Sequence, residues 1–329
     1  MAWIERHWQS VTPVSALLYP VSLLYGAVAA SRRAATPTRL RAPVIVIGNV
    51  TVGGTGKTPL TLWLERTLRD KGWKPGIACS GYGGSNPGPQ LVTPESDPAV
   101  CGDEAVLLAR RSGCEVWAGA DRVAAANAAL QRSECNVILC DDGLQHHALA
   151  RDLEICVIDG ERGLGNGWLL PAGPLREPAA RLASVDALVI NGGDSTLDHL
   201  PGNAARFSMA LEGREFRNLL DPGLVKGTES FRGMRIHAVA GIGNPQRFFR
   251  HLQKMGLDFT AHAYPDHHPF TASDLEYPGA EAILMTEKDA VKCRRFATEL
   301  HWELPVDAAP GPGLADLVLR KLESLSKAK

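Results

Sequence analysis

At 329 residues, with a formal charge of −1 and 45% apolar side chains, the chain is long enough for one large domain and a smaller one. It is neither basic enough to indicate nucleic-acid binding nor polar enough to indicate disorder. Seven scattered cysteines with no C-x-x-C pair argue against a disulfide framework and against a structural zinc site. They favour a reducing, cytoplasmic compartment.

Residues 11–30 carry no charge, and Arg32 and Arg33 follow. A membrane-spanning helix needs about 20 strongly apolar residues, and this stretch is diluted by Thr12, Pro13, Ser15, Pro20, Ser22 and Gly26. Ala27-Val28-Ala29 resembles a signal cleavage site, yet Glu5 sits where a basic segment should be. The favoured reading is an interfacial helix with Trp3, Trp8, Tyr19 and Tyr25 at headgroup level; the alternative is a helix packed on the protein's own core.

Val44–Ile47 predicts a buried strand, and Pro59–Leu64 the start of a helix. Between them runs Gly48–Thr58, G-N-V-T-V-G-G-T-G-K-T. Strand, glycine-rich loop, Lys-Thr and helix together form the context of a phosphate-binding loop. The first glycine of the strict pattern is replaced by Thr51, leaving the compact G-G-x-G-K-T form. Backbone amides from Gly53, Gly54, Thr55 and Gly56 would face the phosphates. Lys57 would reach the terminal phosphates, and the Thr58 hydroxyl would bind Mg²⁺.

Further along, residues 74–79 read as a second strand ending in Ser80-Gly81-Tyr82, and Gly102-Asp103-Glu104 opens a helix over 105–111. Two acids at a helix start are also plain capping. A strand over 116–118 precedes Arg122 and a helix over 123–131. Asn136–Asp142, apolar and ending in Asp141 and Asp142, matches a Walker-B strand whose carboxylate holds Mg²⁺. Gln145, His146 and His147 follow at that strand's carboxyl end, where α/β sheets bind ligands. A strand over 153–158, a rigid loop over 163–178 and a strand over 187–191 complete the large domain. Residues 200–230 read as a connection. A smaller unit starts near Arg235, with strands over 236–240 and 283–286, a helix over 246–255, a strand near 302–306 and a helix over 313–325. The expected division is an N-terminal segment 1–40, a phosphate-loop domain 41–230 and a smaller α/β domain 231–329. The expected fold class is α/β, P-loop NTPase-like, with a mostly parallel sheet flanked by helices.

Several segments occur together in one family. G-N-V-T-V-G-G-T-G-K-T (48–58), G-D-E (102–104), D-D-G-L-Q-H (141–146), L-P-A-G-P-L-R-E (170–177), A-G-I-G-N-P-Q-R-F (240–248), D-H-H (266–268) and T-E-K-D-A-V-K (286–292) stand in order. With them the chain resembles tetraacyldisaccharide 4′-kinase, the lipid A 4′-kinase family of Gram-negative bacteria. One departure is Ser80, where the family usually has Arg.

The resemblance implies transfer of the ATP γ-phosphoryl group to the 4′-hydroxyl of a tetraacyldisaccharide 1-phosphate. It implies Asp103 as base, paired with His267 from the second domain, with His268 as the competing candidate. Thr58 with Asp141 or Asp142 would hold Mg²⁺, and Glu104 and Gln145 would complete its shell. Tyr82, Arg122, Arg176 and Glu177 become candidates for substrate contact, the arginines for its phosphate. ATP, the acylated disaccharide and a membrane surface are the implied partners, at the cytoplasmic face of the inner membrane and with no nucleic acid. Rival readings are a GTPase or metal-insertion NTPase, for which the base-reading N-K-x-D is missing at Glu287-Lys288-Asp289, and a non-catalytic nucleotide-binding module.

Overall fold

The computed structural model describes residues 3–33, 36–193 and 200–327. A 3₁₀ turn (Trp3–His7) leads into α1 (Pro13–Arg33). The large lobe then runs β1 (Val44–Gly48), α2 (Lys57–Asp70), β2 (Pro75–Cys79), β3 (Gln90–Val92), α3 (Pro98–Cys101), α4 (Asp103–Arg111), β4 (Val116–Ala118), α5 (Arg122–Arg132), β5 (Val137–Asp141), β6 (Leu153–Asp159), β7 (Ala187–Asn191) and β8 (Ala205–Glu212). The second lobe contributes β9 (Glu215–Asn218), β10 (Val225–Gly227), β11 (Ile236–Ala240), α6 (Pro245–Lys254), β12 (Thr260–Ala263), β13 (Ala282–Thr286), α7 (Glu287–Cys293) and β14 (His301–Leu304). The chain closes with β15 (Asp307–Pro310) and α8 (Leu314–Lys327).

Strands β1, β5 and β6 are buried along their whole length, the apolar signature of parallel strands covered on both faces. They form the centre of a nine-stranded sheet, β15-β8-β7-β6-β1-β5-β2-β4-β3, antiparallel only at its two edges. Strand β1 lies between β5 and β6, so the chain leaves it in both directions across the sheet. The crevice at its carboxyl end is therefore a topological switch point, where such sheets bind ligands. That is where Gly48–Thr58 emerges.

The second sheet, β10-β9-β14-β13-β11-β12, is built around Phe216, Phe231 and Trp302, packed edge to face at centroid distances of 4.9 and 5.3 Å. The expected boundary after residue 230, with a smaller unit running to 329, does not match the sheets. Strands β9 and β10 already belong to the second sheet, and β15 returns to the first. Helix α8 follows it back, burying Leu314, Val318 and Leu322 in the same core as the α2 leucines. The stretch over 200–230 is likewise not a bare connection. It holds β8, whose alternating burial is that of a strand covered on one face.

Helix α1 is docked on the 163–178 loop. The Ser22 hydroxyl donates to the Leu169 carbonyl at 2.9 Å and accepts from the Ala172 amide at 3.0 Å. The Tyr19 ring packs 4.7 Å from that of Trp168, Trp8 Nε1 donates to the Pro171 carbonyl, and Arg33 pairs with Glu177. The helix thus uses one face on the protein. Its other face leaves Leu17 and Leu24 exposed at 80% and 70%. The Trp3 side chain, expected at headgroup level, lies outside the described residues.

Candidate active site

After β1 the Asn49 side chain donates to the Thr51 carbonyl, and the Val52 amide donates to the Pro174 carbonyl, so the 163–178 loop braces the glycine-rich turn. Gly56 has a left-handed backbone (φ 95°), and a Cβ there would stand 2.5 Å from Asn191 Nδ2. Asn191 needs that approach to donate to the Thr55 carbonyl at 2.8 Å. Helix α2 then begins at Lys57 without a side-chain cap, leaving its first amides facing outward. They open into a cavity of about 380 Å³ between the lobes, lined by Gly54, Thr55, Gly56, Lys57 and Thr58 on one side and Gly243, Arg247 and Lys288 on the other.

Below the loop, Asp141 accepts from Thr61 Oγ1 at 2.7 Å and from Thr58 Oγ1 at 3.2 Å. Burial, with Glu104 nearby, pushes its carboxyl up to about 6. Asp142 has a left-handed backbone (φ 49°) and turns the other way. It lies 3.6 Å from Lys57 Nζ and 2.9 Å from Arg176 Nη2. Burial alone would raise its carboxyl, but the Lys57 and Arg176 charges outweigh it and hold the group far below the usual carboxylate range. Among the described residues, no group of three or more His, Cys, Asp and Glu side chains forms a ready-made metal cage.

The second centre spans the lobes. Asp103 starts α4 after Gly102 (φ 87°), and its Oδ1 accepts from the Glu104 amide at 2.8 Å. His267 Nδ1 stands 3.1 Å from both Asp103 oxygens. Lys292 Nζ lies 3.7 Å from Asp103 Oδ2, and Lys288 Nζ 3.3 Å from His267 Nε2 and 2.9 Å from Glu104 Oε1. Burial pushes the Asp103 carboxyl up, but the His267 hydrogen bond and the Lys288 and Lys292 charges win, so it lies below its ordinary value. Burial likewise pushes His267 down, and the hydrogen bond to Asp103 more than reverses it. His267 (φ 58°) and Asp142 are the non-glycine residues with left-handed backbone among those described, and both sit at this site.

His268 is engaged elsewhere, 3.3 Å from Asp274 and packed on Tyr264. The Tyr82 ring, 67% exposed, meets His267 edge-on at 4.9 Å, at the open side of the pair. Arg122 donates to the Ala120 carbonyl and adds positive charge beside Asp142.

Other expected site residues stand differently. Glu104 is paired with Lys288 rather than with Asp141. Gln145 turns its amide nitrogen to the Asn49 carbonyl and to Glu177. Arg176 grips Asp142 and the Asn49 carbonyl, and Glu177, 1% exposed, is held by Arg33 and Arg181. Glu104 lines the cavity beside Lys288, whereas Glu177 is buried beneath the phosphate loop, where the 163–178 loop folds inward. Sequence reasoning gave no role to Thr61, Lys288, Lys292 or Asp159. Asp159 carried a signal: it ends an apolar strand just as Asp141 does.

The chain as a whole is similar to proteins of one family. The model of the family Tetraacyldisaccharide-1-P 4'-kinase matches residues 14–323. A tetraacyldisaccharide 4′-kinase of Aromatoleum aromaticum is 51% identical over 323 residues, covering 96% of each chain. One from Pseudomonas aeruginosa is 46% identical over 332 residues, covering 98% of this chain and 96% of that one. A crystal structure of LpxK from Aquifex aeolicus in complex with ATP superposes with a TM-score of 0.79 at 27% identity, covering 94% of this chain and 99% of that one. With the two-lobed fold, the phosphate loop and full-length likeness in agreement, the chain belongs to the tetraacyldisaccharide-1-P 4′-kinase family.

Proposed function

We propose that in this 4′-kinase the Asp103–His267 pair takes the acceptor proton while the phosphate loop holds ATP. The reaction is the family's: the ATP γ-phosphoryl group goes to the 4′-hydroxyl of a tetraacyldisaccharide 1-phosphate, a step of lipid A biosynthesis. The acceptor oxygen forms a bond to the γ-phosphorus as the bond to the β–γ bridging oxygen breaks, and ADP leaves. The hydroxyl proton passes to the Asp103 carboxylate, which His267 orients from the other lobe. Positioning and charge neutralisation supply the rest. Lys57 and the amides of Gly53, Gly54, Thr55 and Gly56 hold the β- and γ-phosphates.

Mg²⁺ fits the donors present. The Asp141 and Thr58 oxygens lie 3.2 Å apart at the start of α2, and hard oxygen donors in small number suit this ion, which takes its other ligands from phosphates and water. Asp141 and Thr58 would hold it, and there it would neutralise charge on the phosphates, while Asp142 stays with Lys57 and Arg176. Arg122 and Tyr82 border the acceptor side. The apolar outer face of α1 supports docking on the cytoplasmic leaflet of the inner membrane, which would bring the acylated substrate to the cleft.

The observation that carries the reading is the Asp103–His267 contact across the lobes, at 3.1 Å. It lies in a cleft also lined by Tyr82 and Lys292, while the neighbouring Glu104 and Lys288 line the phosphate-loop cavity. General-base help is worth about 10²–10⁴-fold, so Asp103→Ala lowers kcat at least about tenfold while ATP binding survives. Activity near wild type in that variant overturns the assignment.

A further inference from the structure

The segment Ala240–Phe248 lies against the phosphate loop and has no role in the chemistry above. Its glycines explain the approach. A Cβ on Gly243 would stand 2.5 Å from the Gly54 amide nitrogen and 2.8 Å from Gly53 Cα, so only glycine lets the second lobe lie on the loop. Asn244 then caps α6, accepting from the Arg247 amide, and Arg247 is set on the first turn.

Both residues meet one carboxylate of the large lobe. Asp159, 1% exposed at the end of β6, is 2.8 Å from Arg247 Nη2 and 3.0 Å from Arg162 Nε, with Asn244 Nδ2 at 3.4 Å. Arg162 continues to the Gly54 carbonyl at 2.9 Å and the Gly243 carbonyl at 3.3 Å. Arg247 Nη2 also donates to the Asn191 carbonyl at 3.3 Å, and Asn191 in turn holds Thr55. Arg247 therefore borders the cavity that Lys57 and Thr58 line, with 22% of its side chain exposed. A buried carboxylate holding two guanidiniums beside a phosphate loop is a charge arrangement that a polyanion can reorganise. Asp159 offers Arg247 one oxygen, at Nη2, whereas a terminal phosphate can offer a guanidinium two at once.

We propose that Arg247 is a γ-phosphate ligand delivered by the second lobe, held on Asp159 until a nucleoside triphosphate enters. Arg162 stays on Asp159 and keeps the lobes joined. Closure of the lobes and recognition of the third phosphate are then one event, which makes turnover depend on a triphosphate and not merely on a nucleotide. This rests on the ATP-kinase reading.

The test uses the full-length protein, with ATP and ADP binding measured by calorimetry and melting curves recorded for each variant. Arg247→Gln is expected to weaken ATP about 10- to 100-fold, the loss of a charge-assisted contact, while ADP changes less than about threefold. Asp159→Asn is expected to keep or widen the preference for ATP over ADP, because Arg247 loses the competing carboxylate. If Arg247→Gln melts early, Arg247→Lys makes the same comparison, with an intermediate loss of ATP affinity expected. Equal loss of ATP and ADP, no loss of either, or matching phenotypes in the Asp159 and Arg247 variants overturns the proposal and leaves a structural clasp. Wild-type protein that moves no label from γ-labelled ATP to the disaccharide lipid would instead sink the kinase reading.

Discussion

Replacing Leu17 and Leu24 together by aspartate tests the docking role of α1 without touching the cleft. Both side chains stand on the outer face, 80% and 70% exposed, while the inner face is held by Ser22, Tyr19 and Arg33. The fold should therefore survive, as a melting curve can verify. Fully burying a leucine is worth about 1.5–3 kcal/mol. Scaled by the exposed fractions, the pair contributes about 2–5 kcal/mol on entering an apolar phase. At 1.4 kcal/mol per factor of ten, that is roughly a 30- to 4,000-fold loss of vesicle partition, before the cost of placing two carboxylates at the surface is added. The assay is sedimentation with vesicles of anionic phospholipid, followed by steady-state kinetics with varied lipid and varied ATP. KM for the lipid should rise by at least about tenfold and KM for ATP should hold, since the phosphate loop is untouched. Unchanged pelleting, or an equal rise in both KM values, would refute the reasoning.

Other predictions follow from the same contacts. The lowered Asp103 contributes stability above the ordinary carboxylate value, lost as pH falls through its folded value; the raised His267 contributes below the ordinary imidazole value, lost as pH rises through its folded value. The Tm difference between wild type and Asp103→Asn should thus be largest between about pH 4 and 6.5 and shrink on either side; a flat difference across pH would contradict the pairing. Lys57→Ala should weaken ATP about 10- to 100-fold by calorimetry, with unaltered affinity counting against its phosphate role. Trp302→Ala, removing a side chain 3% exposed between Phe231 and Lys226, should cost the second lobe about 3–5 kcal/mol in urea unfolding.

What was legible in the sequence is what local backbone geometry imposes. Gly56 must be glycine for its left-handed turn against Asn191, and Asp141 must end an apolar strand to lie under Thr58, so both advertise themselves within a few residues. The Asp103–His267 pair is different. Its members are separated by 164 positions, and locally Asp103 is indistinguishable from a helix-start acid. Family resemblance, not spacing, brought the two together. The lobe boundary was hidden for a similar reason: β9 and β10 hold four and three residues, too short for a periodic signal, and β15 joins its sheet only through a long-range antiparallel pairing. Glu177 reads as a surface charge in the sequence, because it stands on a glycine- and proline-rich loop. The loop instead folds inward, and Glu177 is buried between Arg33 and Arg181.

The central claim, that catalysis depends on one proton-handling unit assembled from both lobes, is tested most directly by a double-mutant cycle. Asp103→Asn, His267→Gln and the double variant would be compared in single-turnover transfer of label from γ-labelled ATP to the disaccharide lipid. If the two side chains act together across the 3.1 Å contact, the double variant will be slower than the worse single variant by no more than about threefold. A double-variant rate reduced by the product of the two single effects would mean independent roles and would contradict the account.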